Sequence, residues 1–470
     1  LGDVYKRQLP VDGINLSMVN KMMEEQMPID KTSLNQMYQL VQDNKDINVT
    51  TLVELKRLGI EINQVNAAQF ENYANDKQAI TIAMDSLIDE LPNALSAEDL
   101  SMYKLVTQAR DILNIVTEGL PEEAFISSEA SDMSQYEAIM RDNQSAPVVK
   151  KHFNIAELFE SLNSVSGESQ DIHTTQKINN APAIDTILLQ ENETKSNTIG
   201  FLLSDKQIEE LNEQVRMLLP NLQENNISLY SEDSSVVGIL NDIKSMLENT
   251  PANADTLRHL FSGEAFKLML KEALEQQWMI KPGDLEKNPK KLDGLYDKIE
   301  KQITNMEIIL KTSGVVNPKA EALADNIRGN IEFMNQINEA YTYVQVPLKM
   351  NEKNASGQLY VYTNKKSMSN PDKELSAFLH LDLEHLGGTD VSIKMLHRKV
   401  TTNFYLDSDE SYALVKQFLP VLEKRLQDKG YNCELNVNSG LKQMNFVAGF
   451  LKKDLPPTGQ VHRYSFDIRA

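Results

Sequence analysis

The chain has 470 residues, a net charge of −21 at pH 7 and a single cysteine, Cys433. Its length is enough for two or three domains. The acidic excess argues against nucleic-acid partners and anionic membranes, because both attract proteins through lysine and arginine. One cysteine excludes an intrachain disulfide, which fits a reducing compartment. No apolar run approaches the roughly 20 residues of a membrane span, and no cleavable signal peptide is visible, so we expect no membrane insertion.

The N-terminal part of the sequence has the pattern of short helices. Leu1–Gln8 (LGDVYKRQ) lacks an initiator methionine, and we interpret residues 1–8 as a non-native assembly artefact in place of the natural N-terminus. In residues 9–141, amphipathic runs follow small polar residues whose side chains can cap a first helical turn. These expected caps are Asp12, Asp30, Thr50 and Asn63. The pattern predicts a short-helix N-terminal region over residues 9–141.

Two further segments precede the strands. Residues 142–200 are rich in Ser, Asn, Gln and Thr, and such a segment buries too little apolar surface to offset its conformational entropy. We therefore predict a disordered linker there. Residues 201–343 return to helical periodicity, and Ser204 to Gln207 form a capping-box signature ahead of the first run. We expect this second helical region to be too polar for one large core.

Alternation of apolar and polar residues predicts a strand-rich domain over residues 344–440, with its core at residues 376–437. Two strands flank the polar turn Asn351–Gly357, and turns at Gly387-Gly388 and His397-Arg398 separate three more strands. The side chains predicted to face inward from those three strands are Leu379, Leu381, Leu383, Val391, Ile393, Met395, Val400, Thr402, Phe404 and Leu406.

A helix is predicted after these strands, because the apolar spacing changes to steps of three and four. Its apolar stripe comprises Tyr412, Val415, Leu419, Leu422 and Leu426. Asp407–Glu410 is expected to cap it, with Glu410 completing a capping box, Pro420 to kink or locally break it, and Gly430 to end it. The inner side chains predicted for a last strand are Tyr431, Cys433, Leu435 and Val437.

The predicted fold class is α plus (α+β). Mostly helical N-terminal and middle regions precede a small C-terminal α/β two-layer domain, which has a mixed sheet and one main helix. The tail, residues 441–470, contains an alternating stretch that can add an edge strand.

The residue types capable of chemistry are few and scattered. His380, Asp382 and Glu384 share one predicted strand face, where they could hold a divalent metal, but a solvated face is the favoured interpretation. Cys433 falls on an inner strand face and is expected to pack as a small hydrophobic residue, without a His or Asn partner for nucleophilic chemistry. We therefore predict no catalytic residue, no cofactor and no metal site, and a protein that is not an enzyme.

Three motifs in residues 381–437 carry a resemblance to a known family. A strand enters the Leu386-Gly387 turn, a hairpin of alternating strands follows, and the helix contains Leu419-Pro420-Val421-Leu422 followed by Leu426 and Gly430. These features resemble the C-terminal domain of flagellar hook-length control proteins, and the two preceding strands resemble those of clostridial-type relatives. Leu386, Gly387, Leu419, Pro420, Leu426 and Gly430 are the residues that define the motif.

The resemblance implies a bacterial flagellum-assembly protein that acts by protein–protein interaction. Its expected partner is the cytoplasmic domain of the flagellar export gate, with hook or hook-cap proteins as further candidates. Binding would control hook length and switch the substrate specificity of type III export. The resemblance places the contact at Val391, Ile393 and Leu422, although plain core packing explains these residues equally well. It also implies a cytoplasmic protein that is exported through the flagellar type III apparatus.

A second hypothesis is that the resemblance is only architectural. The chain would then be a helical adaptor or secretion chaperone, because a shared fold does not imply a shared function. An enzyme is a third hypothesis, but no constellation of residues in the sequence supports it.

Overall fold

The computed structural model describes residues 12–120, 197–219, 228–249, 253–287, 292, 294–313, 317–340, 342–350, 353–362, 374–383, 385–428, 430–441 and 446–451. The predicted assembly artefact at residues 1–8, nearly all of the predicted linker and the whole of the alternating tail stretch Val461–Ala470 lie outside these residues. The chain divides into two compact units. Unit 1 comprises Leu1–Ile82 and Asn326–Ala470, and unit 2 comprises Ala83–Asp325.

Unit 1 begins with four short helices. They are α1 (Gly13–Glu24), α2 (Lys31–Asp43), α3 (Val49–Leu58) and α4 (Gln64–Ala74). The side chains that cap their N-termini are Asp12, Asp30, Asn48 and Asn63. Three of the four expected caps are therefore confirmed. The expectation of Thr50 was wrong, because the Asn48 side chain accepts a hydrogen bond from the Thr50 backbone N–H and the helix begins before it.

The helices of unit 1 are also tied together by a buried ion cluster between α1 and α3. The Arg57 side chain lies 3.1 Å from Glu25 and 2.8 Å from Glu54, and Lys21 lies 2.8 and 2.7 Å from the same two carboxylates. Because the two carboxylates and the guanidinium are almost fully buried, each charge depends on its neighbours for compensation.

The C-terminal part of unit 1 is a six-stranded sheet in sequence order, β1 to β6. The strands are β1 (Thr342–Met350), β2 (Lys353–Val361), β3 (Leu375–Leu383), β4 (Gly387–Leu396), β5 (Lys399–Leu406) and β6 (Asn432–Ser439). Neighbouring strands are antiparallel except β5 and β6, which are parallel. Because a parallel pair needs a crossover, the helix α15 (Asp409–Asp428) joins these two strands and packs mainly against β6.

The predicted inner face of β3 needs a correction. Leu379, Leu381 and Leu383 are only half-buried, whereas Phe378 on the opposite face is 1% exposed. The reason is tertiary: a distant segment covers the Phe378 face, which alternation within the strand cannot reveal. After β6, the short π-helix α16 (Phe446–Leu451) packs against α4 within this unit.

Unit 2 is helical. Its helices include the greater part of α5 (Ile80–Leu95), then α6 (Met102–Thr117), α7 (Ile199–Leu202), α8 (Asp205–Leu218), α9 (Val236–Asn249), α10 (Ala254–Ser262), α11 (Glu264–Trp278), α12 (Pro282–Lys287) and α13 (Leu295–Ser313), and the start of α14 (Pro318–Ala340). The Gln207 side chain accepts from the Ser204 N–H, as the capping signature predicted.

The core of unit 2 is larger than its composition predicts. Trp278, Phe261 and Phe266 are fully buried together with many aliphatic residues. The Trp278 indole N–H donates to the Gln302 side chain at 2.8 Å, so the polar nitrogen of this buried ring is paired.

The predicted fold class is confirmed. The described residues form mostly helices, followed by a C-terminal mixed sheet with one main helix. Among the described residues, no helix combines the length and apolar character needed to cross a membrane.

Candidate functional site

The helix α15 presents apolar side chains to solvent as well as to the sheet. Its predicted inner stripe, from Tyr412 to Leu426, is half-buried. Leu414, Phe418 and Val421 lie on a different side of the helix and are 47%, 56% and 50% exposed. Their spacing of four and three residues places them on one stripe. An exposed stripe of large apolar residues is a candidate surface for binding another protein.

The N-terminus of α15 is fixed to the sheet by serine hydroxyls. The Ser408 hydroxyl accepts from the Ser411 N–H at 3.1 Å, and the Ser411 hydroxyl donates to the Leu386 carbonyl at 2.9 Å. The helix begins at Asp409, so its third residue is Ser411. The expected capping box with Glu410 was therefore wrong, because Glu410 is one residue too early.

The motif residues lie at the ends and in the middle of this helix and at the turn before β4. Gly387 has φ +67° and Gly430 has φ +85°, a region that suits glycine. The Tyr431 N–H donates to the Leu426 carbonyl just past the helix, which is the pattern of a glycine-ended helix. Of the two outcomes expected at Pro420, a break does not occur, because α15 is continuous from Asp409 to Asp428. Leu386, Leu419 and Leu426 are half-buried.

The three predicted partner residues lie at different depths. Val391 and Ile393 share one face of β4, where Val391 pairs with Leu379 on β3. Val391 is 5% exposed, whereas Ile393 and Leu422 are half-buried. Burial of Val391 leaves a partner little access to it. The sequence analysis missed the exposed stripe of Leu414, Phe418 and Val421, although their spacing was visible in the same helix.

A charged cluster lies on the other face of the sheet. His380 Nδ1 is 2.6 Å from Asp390 Oδ1, and His380 Nε2 is 3.3 Å from Asp382 Oδ1. Hydrogen bonds to Asp382 and then to Asp390 raise the pKa of His380 to about 10, and the hydrogen bond from His380 lowers the pKa of Asp382. Burial raises the pKa of Asp76, which interacts with this cluster electrostatically.

The expected solvated face is mixed in its exposure. The Asp382 side chain is 59% exposed, that of His380 is 25% exposed, and that of Asp390 on the neighbouring strand is 2% exposed. Asp390 was missed because it comes from the neighbouring strand, directly opposite His380. Glu384 lies outside the described residues. Within the part of the chain that the structure describes, no group of three or more acidic, histidine or cysteine side chains is arranged to hold a metal ion.

Cys433 is half-buried on β6, and its thiol lies 3.8 Å from the Tyr431 carbonyl oxygen. Burial, followed by the nearby Glu423 carboxylate, raises the pKa of this thiol. A raised pKa keeps the sulfur in its less reactive protonated form, which agrees with a packing role.

Comparison with known proteins gives one match. Residues 363–446 match the family model described as flagellar hook-length control protein FliK. A search of curated proteins found no match, and neither did a search of solved structures. The matched residues contain β3 to β6 and α15, whereas β1 and β2 precede them and extend the same sheet. The C-terminal region of this chain thus matches the flagellar hook-length control family that its strand and helix motifs predicted.

Proposed function

We propose that this protein controls flagellar hook length and switches the substrate specificity of the flagellar export apparatus by binding the cytoplasmic domain of the export gate. The family match over residues 363–446 carries this proposal. The proposed activity is binding without bond chemistry. Hook or hook-cap proteins are further proposed partners, and the proposed location is the cytoplasm, with export through the flagellar apparatus.

The proposed contact surface is centred on α15. Leu414, Phe418 and Val421 are accessible apolar residues within the matched region, and burying them against a partner would be favourable by about 25 cal/mol per Å² of apolar surface. Ile393 and Leu422, which are both half-buried, remain proposed contacts. Val391 is proposed to act mainly by packing within the domain, because it is almost fully buried.

Deletion of Ser376–Val437 in the source organism tests the proposal as a whole. We expect overlong hooks without filaments, because the proposed switch would be absent. Hooks of normal length bearing filaments would overturn the proposal.

A surface variant tests the contact without removing the domain. Phe418→Ser should give the same overlong hooks while leaving the unfolding free energy nearly unchanged, because the side chain is 56% exposed. Tyr103→Ser is the matched control: this aromatic residue is 80% exposed in unit 2, and its loss should leave hook length normal. Normal hooks with Phe418→Ser would move the contact away from α15.

The alternative proposal is a helical adaptor or secretion chaperone with an architecturally similar C-terminal domain. It is favoured by the extent of helical structure outside the matched residues. Under this alternative, the deletion would impair delivery of particular secreted proteins while hook length stayed normal, so the same hook measurement distinguishes the two.

A further inference from the structure

One face of the sheet is buried where it is formed by the first three strands, β1, β2 and β3. Register places Tyr343 opposite Tyr360, Gln345 opposite Gln358 and Tyr360 opposite Phe378, so these five residues point to the same side. Each is at most 6% exposed. We call this surface, made of Tyr343, Gln345, Gln358, Tyr360 and Phe378, the covered face.

The cover comes from the N-terminal part of the chain. The Gln78 side-chain amide donates to Gln358 Oε1 at 2.7 Å, and the Ile80 backbone N–H donates to Gln345 Oε1 at 2.9 Å. Gln345 in turn donates to the Tyr73 hydroxyl at 2.9 Å. Both glutamines of the covered face are therefore satisfied by the segment Tyr73–Ile80, which connects α4 to α5.

Helix α14 and α16 support this segment from two sides. The Asn330 side-chain amide donates to the Gln78 carbonyl at 2.7 Å, and the Tyr73 hydroxyl donates to Asn330 at 2.8 Å. The Tyr73 ring lies 4.7 Å from Phe446 and 5.6 Å from Tyr343, measured between centroids. These hydrogen bonds thus lie among packed aromatic rings. Because water does not replace a hydrogen bond lost in such a buried site, its loss is costly.

The two halves of this contact stabilise each other. If Tyr73–Ile80 moved away, Gln345 would lose the Tyr73 hydroxyl and the Ile80 N–H and would keep Asn330. Gln358 would lose the Gln78 amide and would keep the Tyr360 hydroxyl. The Tyr343 ring would lose its edge contact with Tyr73. If β1 and β2 separated from the sheet, the buried polar groups of Tyr73 and Gln78 would lose theirs. Neither half can open alone without this cost, so their opening is expected to be cooperative.

We propose that the cover Tyr73–Ile80 and strands β1 and β2 form one cooperative unit, which opens together with the N-terminal helices. Strands β5 and β6 and the helix α15 between them remain folded when this unit opens. The functional consequence rests on the proposed function: opening of this unit would expose Phe378 on β3, at the edge of the strands that the matched region contributes to the sheet.

Hydrogen–deuterium exchange of the intact chain, read by mass spectrometry, tests the cover. In Gln78→Ala we expect amide exchange in β1, β2 and α4 to accelerate together by about ten- to a hundred-fold, the effect of losing one buried hydrogen bond. Exchange in β5 and β6 should be unchanged. Acceleration confined to α4, with β1 and β2 unaffected, would overturn the proposal.

The matched control is Gln302→Ala in unit 2. Gln302 is also a buried glutamine, and it accepts from Trp278 and donates to Gln277 at 2.7 Å. Exchange in β1 and β2 should stay at the wild-type rate. An equal acceleration there would show general loosening of the chain and would refute a local cover.

If Gln78→Ala does not fold, the proposal can be tested by a measurement on the wild-type protein. Exchange followed at rising, sub-denaturing urea concentrations should bring amides of α4, β1 and β2 onto one opening curve with a common urea dependence. Separate curves would contradict the proposal. Both measurements are made in vitro, so they are independent of the hook phenotype that tests the proposed function.

Discussion

His380 on β3 lies directly opposite Asp390 on β4, and its Nδ1 is 2.6 Å from the Asp390 carboxylate. The second imidazole nitrogen lies 3.3 Å from Asp382. The Asp390 side chain is nearly inaccessible to water, and a buried carboxylate of this kind is costly unless a cation compensates it. The imidazolium of His380 therefore acts as a structural cation between two strands.

The first prediction concerns the pH dependence of stability. The pKa of His380 is raised from about 6.5 in an unfolded chain to about 10 in the folded protein. The stabilisation is therefore fully present below the unfolded pKa and is lost progressively as pH rises through the folded pKa. Free energies of unfolding in urea, measured across this range, should fall more steeply for the wild type than for His380→Gln. Identical pH profiles would contradict the structural role of the imidazolium.

The second prediction compares two leucines of the hook-length region. Leu406 at the end of β5 is 0% exposed, whereas Leu414 on α15 is 47% exposed. Leu406→Ala should lower the free energy of unfolding by about 2–5 kcal/mol, because it leaves a cavity. Leu414→Ala should change it by less than about 0.5 kcal/mol. Chemical denaturation checks both variants. A large loss for Leu414→Ala would mean that the exposed stripe is needed for folding and is not free for a partner.

The third prediction concerns the residue that ends α15. Gly430 has φ +85°, a conformation that costs other residues about 1–2 kcal/mol, so Gly430→Ala should lower the free energy of unfolding by that amount. Gly13 at the start of α1 is the control, because no atom lies within 4 Å of an added Cβ and its φ is not positive. Gly13→Ala should leave the thermal midpoint unchanged or slightly higher. Equal effects for the two variants would rule out backbone conformation as the cause.

The fourth prediction concerns the ion cluster of α1 and α3. Arg57→Ala would remove one of the two cations, Arg57 and Lys21, that compensate the carboxylates of Glu25 and Glu54, both 3% exposed, and we expect the free energy of unfolding to fall by about 3 kcal/mol. Lys206, which lies 3.4 Å from Glu210 on the surface of α8, is the control, and Lys206→Ala should have little effect. Urea denaturation distinguishes them. A negligible effect of Arg57→Ala would mean that water reaches the cluster when the guanidinium is removed.

Much of the C-terminal domain could be predicted from the sequence because its signals are local. Alternation in β3 to β5, the change of period in α15 and the glycine at residue 430 each depend on a few neighbouring residues. The family match adds independent support for the same region. Errors of one or two residues at the caps, as with Thr50 and Glu410, arose because several adjacent side chains could serve and only the helix start decides among them.

The candidate site was less predictable. The sequence analysis selected Val391 and Leu422 from the resemblance, but the depth of a side chain depends on what packs above it. The exposed stripe at Leu414, Phe418 and Val421 could have been read from its spacing, since a helix with apolar residues on two sides can bury only one of them on a single sheet.

The amino-acid sequence by itself determined the order of helices and strands in the C-terminal region and the family that this region resembles. Only the tertiary structure decided which face of β3 is buried and which distant residues pair with Gln345 and Gln358. The physical reason is that these hydrogen bonds join residues more than 250 positions apart, such as Gln345 with Tyr73 and Gln358 with Gln78. The periodicity of a segment predicts which of its residues share a face. Which distant segment packs against that face depends on the packing of the whole unit.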